Sequence, residues 1–181
     1  MTLQRIFGIV LLGLFSIMAI VPLFSPNEYA VKRDIVINKP KNEVFEYVKM
    51  LKNQDQFSEW VQKDPDMKKS FEGSDGTVGF VSKWESQKEE VGKGEQEIIA
   101  IEEGKRIDYE LRFIEPSQSK DHSYIITEKV GEGNTKVTWG FEGKISYPMN
   151  GTLLFMDIEE DLGESFQKGL EQLKVILENK A

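Results

Sequence analysis

Apolar residues recur at helical spacing through the last thirty positions of the chain. At 100° per residue, Phe155, Ile158, Leu162, Phe166, Gly169, Leu170, Leu173, Ile176 and Leu177 fall in one stripe, with Asp157, Glu160, Glu164, Gln167, Lys168, Glu171 and Glu178 opposite. The pattern predicts one long amphipathic helix over 151–180. Gly163 and Gly169 lie inside it. Each costs about 1 kcal/mol of helix propensity against alanine, which marks them as points where another part of the chain comes close.

Between Tyr29 and Tyr147 the period shortens to two. A first strand is expected over 29–38, with Tyr29, Val31, Arg33, Ile35 and Ile37 on one face. Pro40 opens a helix that places Val44, Phe45, Val48 and Leu51 on one side over 43–51, and a second short helix follows around 55–61. Strand-like runs then cover 68–72, 78–86, 92–102, 105–115, 122–130 and 135–147, separated by turns such as Gly73-Ser74-Asp75-Gly76 and Gly131-Glu132-Gly133-Asn134. Within them Val78, Phe80, Ser82 and Trp84 share a face. Gln96, Ile98 and Ala100 oppose Glu95, Glu97, Ile99 and Ile101, and Ile107, Tyr109, Leu111 and Phe113 oppose Arg106, Asp108, Glu110 and Arg112. Val137, Trp139, Phe141, Ile145 and Tyr147 form a further apolar face. The expected fold class is α+β: a curved antiparallel sheet wrapped around the C-terminal helix, two short helices after the first strand, and a cavity between sheet and helix.

Residues 6–24 contain no charged side chain. As a helix this run spans about 28 Å, close to the hydrocarbon thickness of a bilayer. It is expected to be a transmembrane anchor following a tail at 1–5, with a linker at 25–28 and one domain at 29–181. Ser25-Pro26 is a poor cleavage site for a secretory signal. Arg5 and the amino terminus favour an inside start, so a single-pass protein with an extracytoplasmic domain is expected.

Composition narrows the partners. The net charge is −8, which argues against nucleic acid. There is no cysteine, so disulfides and thiolate metal sites are excluded. No metal motif such as H-E-x-x-H or an EF-hand loop is present, and no cofactor is expected.

Several strings resemble the START-like helix-grip (SRPBCC) superfamily, in its polyketide cyclase/dehydrase and lipid transport branch. They are Ile35-Val36-Ile37-Asn38-Lys39-Pro40 leading to Val44-Phe45, Phe57-Ser58-Glu59-Trp60, and Trp84 ahead of Val91-Gly92-Lys93-Gly94. Further on come Leu111-Arg112-Phe113-Ile114-Glu115-Pro116, Thr135-Lys136-Val137-Thr138-Trp139-Gly140 and Gly163-Glu164-Ser165-Phe166-Gln167-Lys168-Gly169-Leu170. The resemblance implies a helix-grip fold and a hydrophobic small molecule or lipid as ligand. Gln96 departs from it, standing where this branch has an apolar residue.

Candidate chemistry is sparse. His122, the one histidine, stands beside Asp121 at the expected start of a strand, with no partner motif, and reads as a solvated strand end. There is no G-x-S-x-G elbow, and Gly92-Lys93-Gly94 precedes a strand rather than a helix. No catalytic residue is assigned. Aromatic residues at inward positions pack a core by default, but Trp and Tyr carry polar atoms that need partners when buried. The cavity candidates are Phe80, Trp84, Gln96, Tyr109, Phe113, Trp139, Phe141, Glu159, Leu162 and Phe166. Glu159 has a plainer reading as a first-turn carboxylate favoured by the helix dipole. Two rivals to ligand binding remain: a cyclase or dehydratase acting in the same cavity, and an interaction module whose cavity is filled.

Overall fold

The computed structural model describes residues 3–179, apart from the side chains of residues 3, 5, 6, 13–15 and 17–19. Residues 1–2 of the expected tail and the expected helix end at 180 lie outside them. A helix α1, Leu3–Phe24, leads into strand β1, Glu28–Ile37. Helix α2, Lys41–Lys49, a 3₁₀ segment Leu51–Gln56 and helix α3, Glu59–Lys63, follow. Six further strands come next: β2 Lys68–Glu72, β3 Val81–Glu85, β4 Lys93–Glu102, β5 Arg106–Glu115, β6 Ser119–Lys129 and β7 Thr135–Lys144. A second 3₁₀ segment, Met149–Leu154, precedes helix α4, Ile158–Glu178. Among the described residues no helix is long and apolar enough to cross a membrane, so the span expected over 6–24 is not shown.

The strands form one antiparallel sheet in the order β1-β7-β6-β5-β4-β3-β2, with α4 packed across β1 and β7. Alternation is cleanest in β5, where Ile107 and Tyr109 are buried and Asp108, Glu110 and Arg112 point the other way. The outward face is solvated by ion pairs: Arg112 meets Glu95 at 2.5 Å, Glu97 at 2.8 Å and Glu110 at 2.6 Å. The first short helix buries Val44, Phe45 and Val48 as its spacing predicts. The 3₁₀ segment after it is held from a distance, because the Asp75 carboxylate accepts the Leu51 N–H at 2.7 Å and the Lys52 N–H at 3.2 Å.

Three expectations need correction. First, 151–180 is not one helix. Asp157 caps α4 by accepting the Glu160 N–H at 3.1 Å, and Phe155, assigned to the apolar stripe, is 87 % exposed in the preceding turn. Second, a register shift between Ile98 and Ala100 marks a bulge in β4. The phase then changes, so Ile101 joins Ile98 in the core while Ala100 is exposed. Third, β3 begins at Val81 and β7 ends at Lys144, leaving Val78 and Tyr147 exposed rather than on inward faces. The remaining strands keep the expected faces with shifts of a few residues at their ends.

Both glycines of α4 stand at close approaches. A Cβ on Gly169 would come within 2.9 Å of the Trp139 ring and 3.1 Å of the Phe57 carbonyl; one on Gly163 would meet the Arg33 guanidinium. That guanidinium donates to the Glu159 carbonyl at 3.0 Å. The two sites therefore differ in what must yield. Gly169→Ala presses a buried indole and a backbone oxygen and is expected to lower unfolding free energy by about 1–3 kcal/mol. Gly163→Ala displaces only the end of a flexible side chain and gains helix propensity, so it should stay within about 1 kcal/mol of the parent. Urea unfolding of both variants checks the contrast.

Candidate functional site

The sheet curves away from α4 and leaves a cavity of about 600 Å³ between them. One wall is α4, through Ile158, Leu162, Ser165 and Phe166. The sheet supplies the opposite wall, with Trp84 and Ser82 from β3, Gln96 from β4, Leu111 and Phe113 from β5, Ser123 from β6, and Trp139 and Phe141 from β7. Trp60 and Val61 of α3 close one side. The floor is set by ring contacts. Trp139 stacks on Phe166 at 4.7 Å between centroids, and Phe57 meets Trp139 edge-on at 5.6 Å. On the far wall Trp84 meets Phe113 edge-on at 5.8 Å.

Of the predicted cavity residues, Trp84, Gln96, Phe113, Trp139, Phe141, Leu162 and Phe166 line this space. Three do not. Phe80 is buried against Phe71 at 6.0 Å, and Tyr109 is buried in the packed end of the sheet among Ile98 and Ile107. Glu159 turns outward, with its side chain 75 % exposed, and pairs with Arg33 at 3.6 Å. Tyr109, Gln96 and Glu159 thus do not converge on one enclosed point, as an enzyme using those three groups would require. Nor is the space filled by Trp84, Trp139 and Phe166: Trp139 and Phe166 stack on each other, while Trp84 packs on Phe113 and the cavity remains between.

The polar groups of the lining fall into two kinds. Some are already satisfied: Trp84 Nε1 donates to the Val91 carbonyl at 3.2 Å, and Ser123 Oγ to the Gly140 carbonyl at 2.8 Å. Asp121 accepts from Ser119 Oγ at 2.7 Å and from the Lys144 N–H at 3.3 Å. Gln96 is different. Among the described residues its amide has no hydrogen-bond partner, and Ser82 faces it across the β3–β4 register. Together they make a small polar spot beside the aromatic and aliphatic side chains of the sheet wall, while charged groups such as Asp55 with Lys69, Glu89, Glu90 and Asp161 also belong to the lining.

Sequence reasoning missed Ser82, Ser123, Leu111, Trp60 and Tyr29 as lining residues. Ser82 and Ser123 carried a usable signal, since both occupy inward strand positions with side chains too small to reach the helix. Tyr29 stacks on Phe141 at 5.9 Å at the cavity edge. Burial, and secondarily the Asp121 carboxylate, push its phenol up to about 12.

His122 lies elsewhere. Because β6 starts at Ser119, His122 is inside the strand rather than at its end, on the outer face. It sits between Asp108 at 2.9 Å and Glu142 at 3.3 Å. Burial would raise the Asp108 pKa, but Arg106 and His122 outweigh it and hold that carboxyl below the usual range. A broad hollow of about 670 Å³ on this side is lined by charged groups, among them Glu28 with Lys144 and Glu110 with Lys120, that already pair with one another. No group of three or more histidine or carboxylate side chains placed to hold a metal ion is found among the described residues.

No protein-family model and no curated protein matches this sequence. Solved structures do. Norcoclaurine synthase from Thalictrum flavum superimposes with a TM-score of 0.63 at 9 % identity, covering 87 % of this chain and 97 % of that one. Aha1 from Colwellia psychrerythraea, solved as a dimer in solution, gives 0.58 at 15 % identity over 84 % and 99 % of the two chains. The crystal structure of Ara h 8.0201 gives 0.56 at 15 % identity, again over 84 % and 99 %. At these identities the likeness is one of fold, and the fold is helix-grip.

The Tyr29 shift has a pH consequence. Its folded-state value lies above the ordinary value of 10.0. Its contribution to stability is therefore complete below about pH 10 and is lost as pH rises through about 12. Tyr29→Phe should flatten that decline by about 1 kcal/mol, the full equivalent of the shift being roughly halved because the ring is partly exposed. Urea unfolding between pH 9 and 12 provides the measurement, with the buried Tyr109 supplying a decline that persists in the variant.

Proposed function

We propose that this chain is a membrane-anchored domain that holds a hydrophobic small molecule or lipid between its sheet and α4. The observation that carries this reading is the cavity of about 600 Å³, walled by Trp84, Phe113, Trp139, Phe141, Leu162 and Phe166. An apolar guest gains about 25 cal/mol for each Å² of surface it removes from water. The Gln96–Ser82 spot favours an amphiphile: a mostly apolar body with one hydrogen-bonding group, which the unpaired amide would receive in place of water. The structural neighbours include a synthase and the Aha1 dimer alongside Ara h 8.0201, so fold alone does not choose among activities. Binding without catalysis is the better reading here because Tyr109, Gln96 and Glu159 do not converge on one point of the cavity, and the one histidine lies on the outer face of the sheet.

The anchor belongs to the same proposal. Helix α1 has 22 residues, and Phe7, Ile9, Val10, Leu12 and Ile20 on it are exposed with no protein cover. At 1.5 Å per residue it is about 33 Å long, comparable in length to a bilayer core, and this length with the exposed apolar side chains is the support for the anchor. Arg5 and the amino terminus would stay on the cytoplasmic side, with the folded domain on the other.

Native mass spectrometry of the full chain, released from mild detergent after incubation with fatty acid, sterol and phospholipid, tests the binding. One equivalent of retained ligand is expected. Leu162→Trp, which projects an indole into the cavity, should reduce occupancy about tenfold or more while leaving the thermal midpoint within a few degrees. Gln96→Leu should keep sterol and lose preference for the ligands with stronger hydrogen-bonding groups. A wild-type chain that retains none of the three classes overturns the reading.

A further inference from the structure

The turn between β7 and α4 carries more exposed apolar surface than any role in folding explains. Met149, Leu154, Phe155 and Met156 are all exposed, Phe155 to 87 %. At the end of α1, Leu23 and Phe24 are exposed as well, Phe24 to 86 %. These two groups are one patch, because the 3₁₀ segment Met149–Leu154 is fastened to the end of α1. The buried Asn150 side chain donates through Nδ2 to the Pro22 carbonyl at 2.8 Å and to the Ser25 carbonyl at 3.2 Å, with Pro26 O at 3.5 Å. Gly151 lies so close to Pro22 that a Cβ there would stand 3.0 Å from the proline ring. The adjoining strand end is tied in too, by the Ile145 N–H to the Asn27 carbonyl at 2.9 Å.

We infer that this patch is a membrane-docking surface: Leu23, Phe24, Met149, Leu154, Phe155 and Met156 lie in the interfacial layer of the bilayer that holds α1. The inference rests on the anchor reading above and adds an orientation to it. Chain continuity selects the occupant. An apolar patch that begins where the apolar helix ends, and is hydrogen-bonded to that end, meets the same lipid phase as the helix. Charge selects the kind of lipid contact. Asp157, Glu159, Glu160 and Asp161 follow the patch directly. The nearby cations Arg33 and Lys144 are paired with Glu159 and Glu28. The acidic run disfavours anionic headgroups, so docking depends on burying apolar side chains at the headgroup boundary. Met156 also belongs to the cavity lining, next to Ile158 and Leu162. Docking on the patch thus turns that edge of the cavity toward the lipid.

The absence of native cysteine permits a direct test on the full chain. Phe155→Cys carries an environment-sensitive nitrobenzoxadiazole dye, and Glu132→Cys, in the turn at the opposite end of the sheet, carries the same dye as control. Both proteins are reconstituted in phosphatidylcholine vesicles, with and without lipids brominated near the headgroup end of the chains. Expected are co-flotation of both with the vesicles, loss of about half the emission at 155 on bromination, and no change at 132. Co-flotation with a water-exposed dye at 155, quenched by iodide as strongly as at 132, overturns the docking surface while leaving the anchor intact. Failure to co-float removes the anchor reading and this inference with it. A dye at 155 shielded from iodide but untouched by brominated lipid, in chains that cross-link in pairs, overturns docking in favour of a second copy on the patch.

Discussion

The contact on which this structure depends is the approach of α4 to the sheet at Gly169. With no side chain there, the Trp139 ring reaches the helix backbone and stacks on Phe166, and Phe57 closes over the same indole. Below that point Leu170, Leu173 and Leu177 are buried against the sheet. Above it the curved sheet and the straight helix diverge. A rod can follow a curved surface along only part of its length, and toward its N-terminal end α4 presents Phe166, Ser165, Leu162 and Ile158 to the cavity. The cavity is the geometric remainder of that mismatch.

The sheet tolerates a hollow on one face because the other is held by polar interactions. Arg112 and its three carboxylates, and Arg106 with Asp108 and His122, run across β4, β5 and β6. Each partly exposed pair contributes little alone, but the network satisfies long side chains that would otherwise compete for the inward phase. Backbone hydrogen bonds fix the strands; the inner face is then free to carry Ser82, Gln96 and Ser123 where a fully packed sheet would place larger apolar groups.

Much of this was legible in the residue pattern. Period-two alternation located β5 and β7, and the glycines of α4 announced their close contacts. The bulge in β4 was not legible, because an inserted residue leaves no compositional mark; it shows only when Ile101 is found beside Ile98 in the core. The break before α4 was hidden for a different reason. Leu153, Leu154, Phe155 and Met156 extend an apolar stripe, and hydrophobicity alone cannot distinguish a helix face from an exposed turn. Asp157 followed three residues later by Glu160 was the available sign of a helix start. In the cavity, aromatic residues were identified by type and phase, so Trp84, Phe113, Trp139 and Phe141 were found while Tyr109 and Phe80, of the same type, lie beyond the cavity's reach. Depth along a strand is a tertiary quantity.

The link between α1 and β1 is only Ser25, Pro26 and Asn27, and Asn150 ties two of its carbonyls. Fully extended, three residues cover about 10 Å, and the tie removes most of that slack. With α1 in a bilayer, such a domain has no leash on which to swing. On the proposed anchoring and binding, exchange of a held molecule is confined to the leaflet directly beneath the domain or to a carrier that comes to it, and a facing membrane is out of reach.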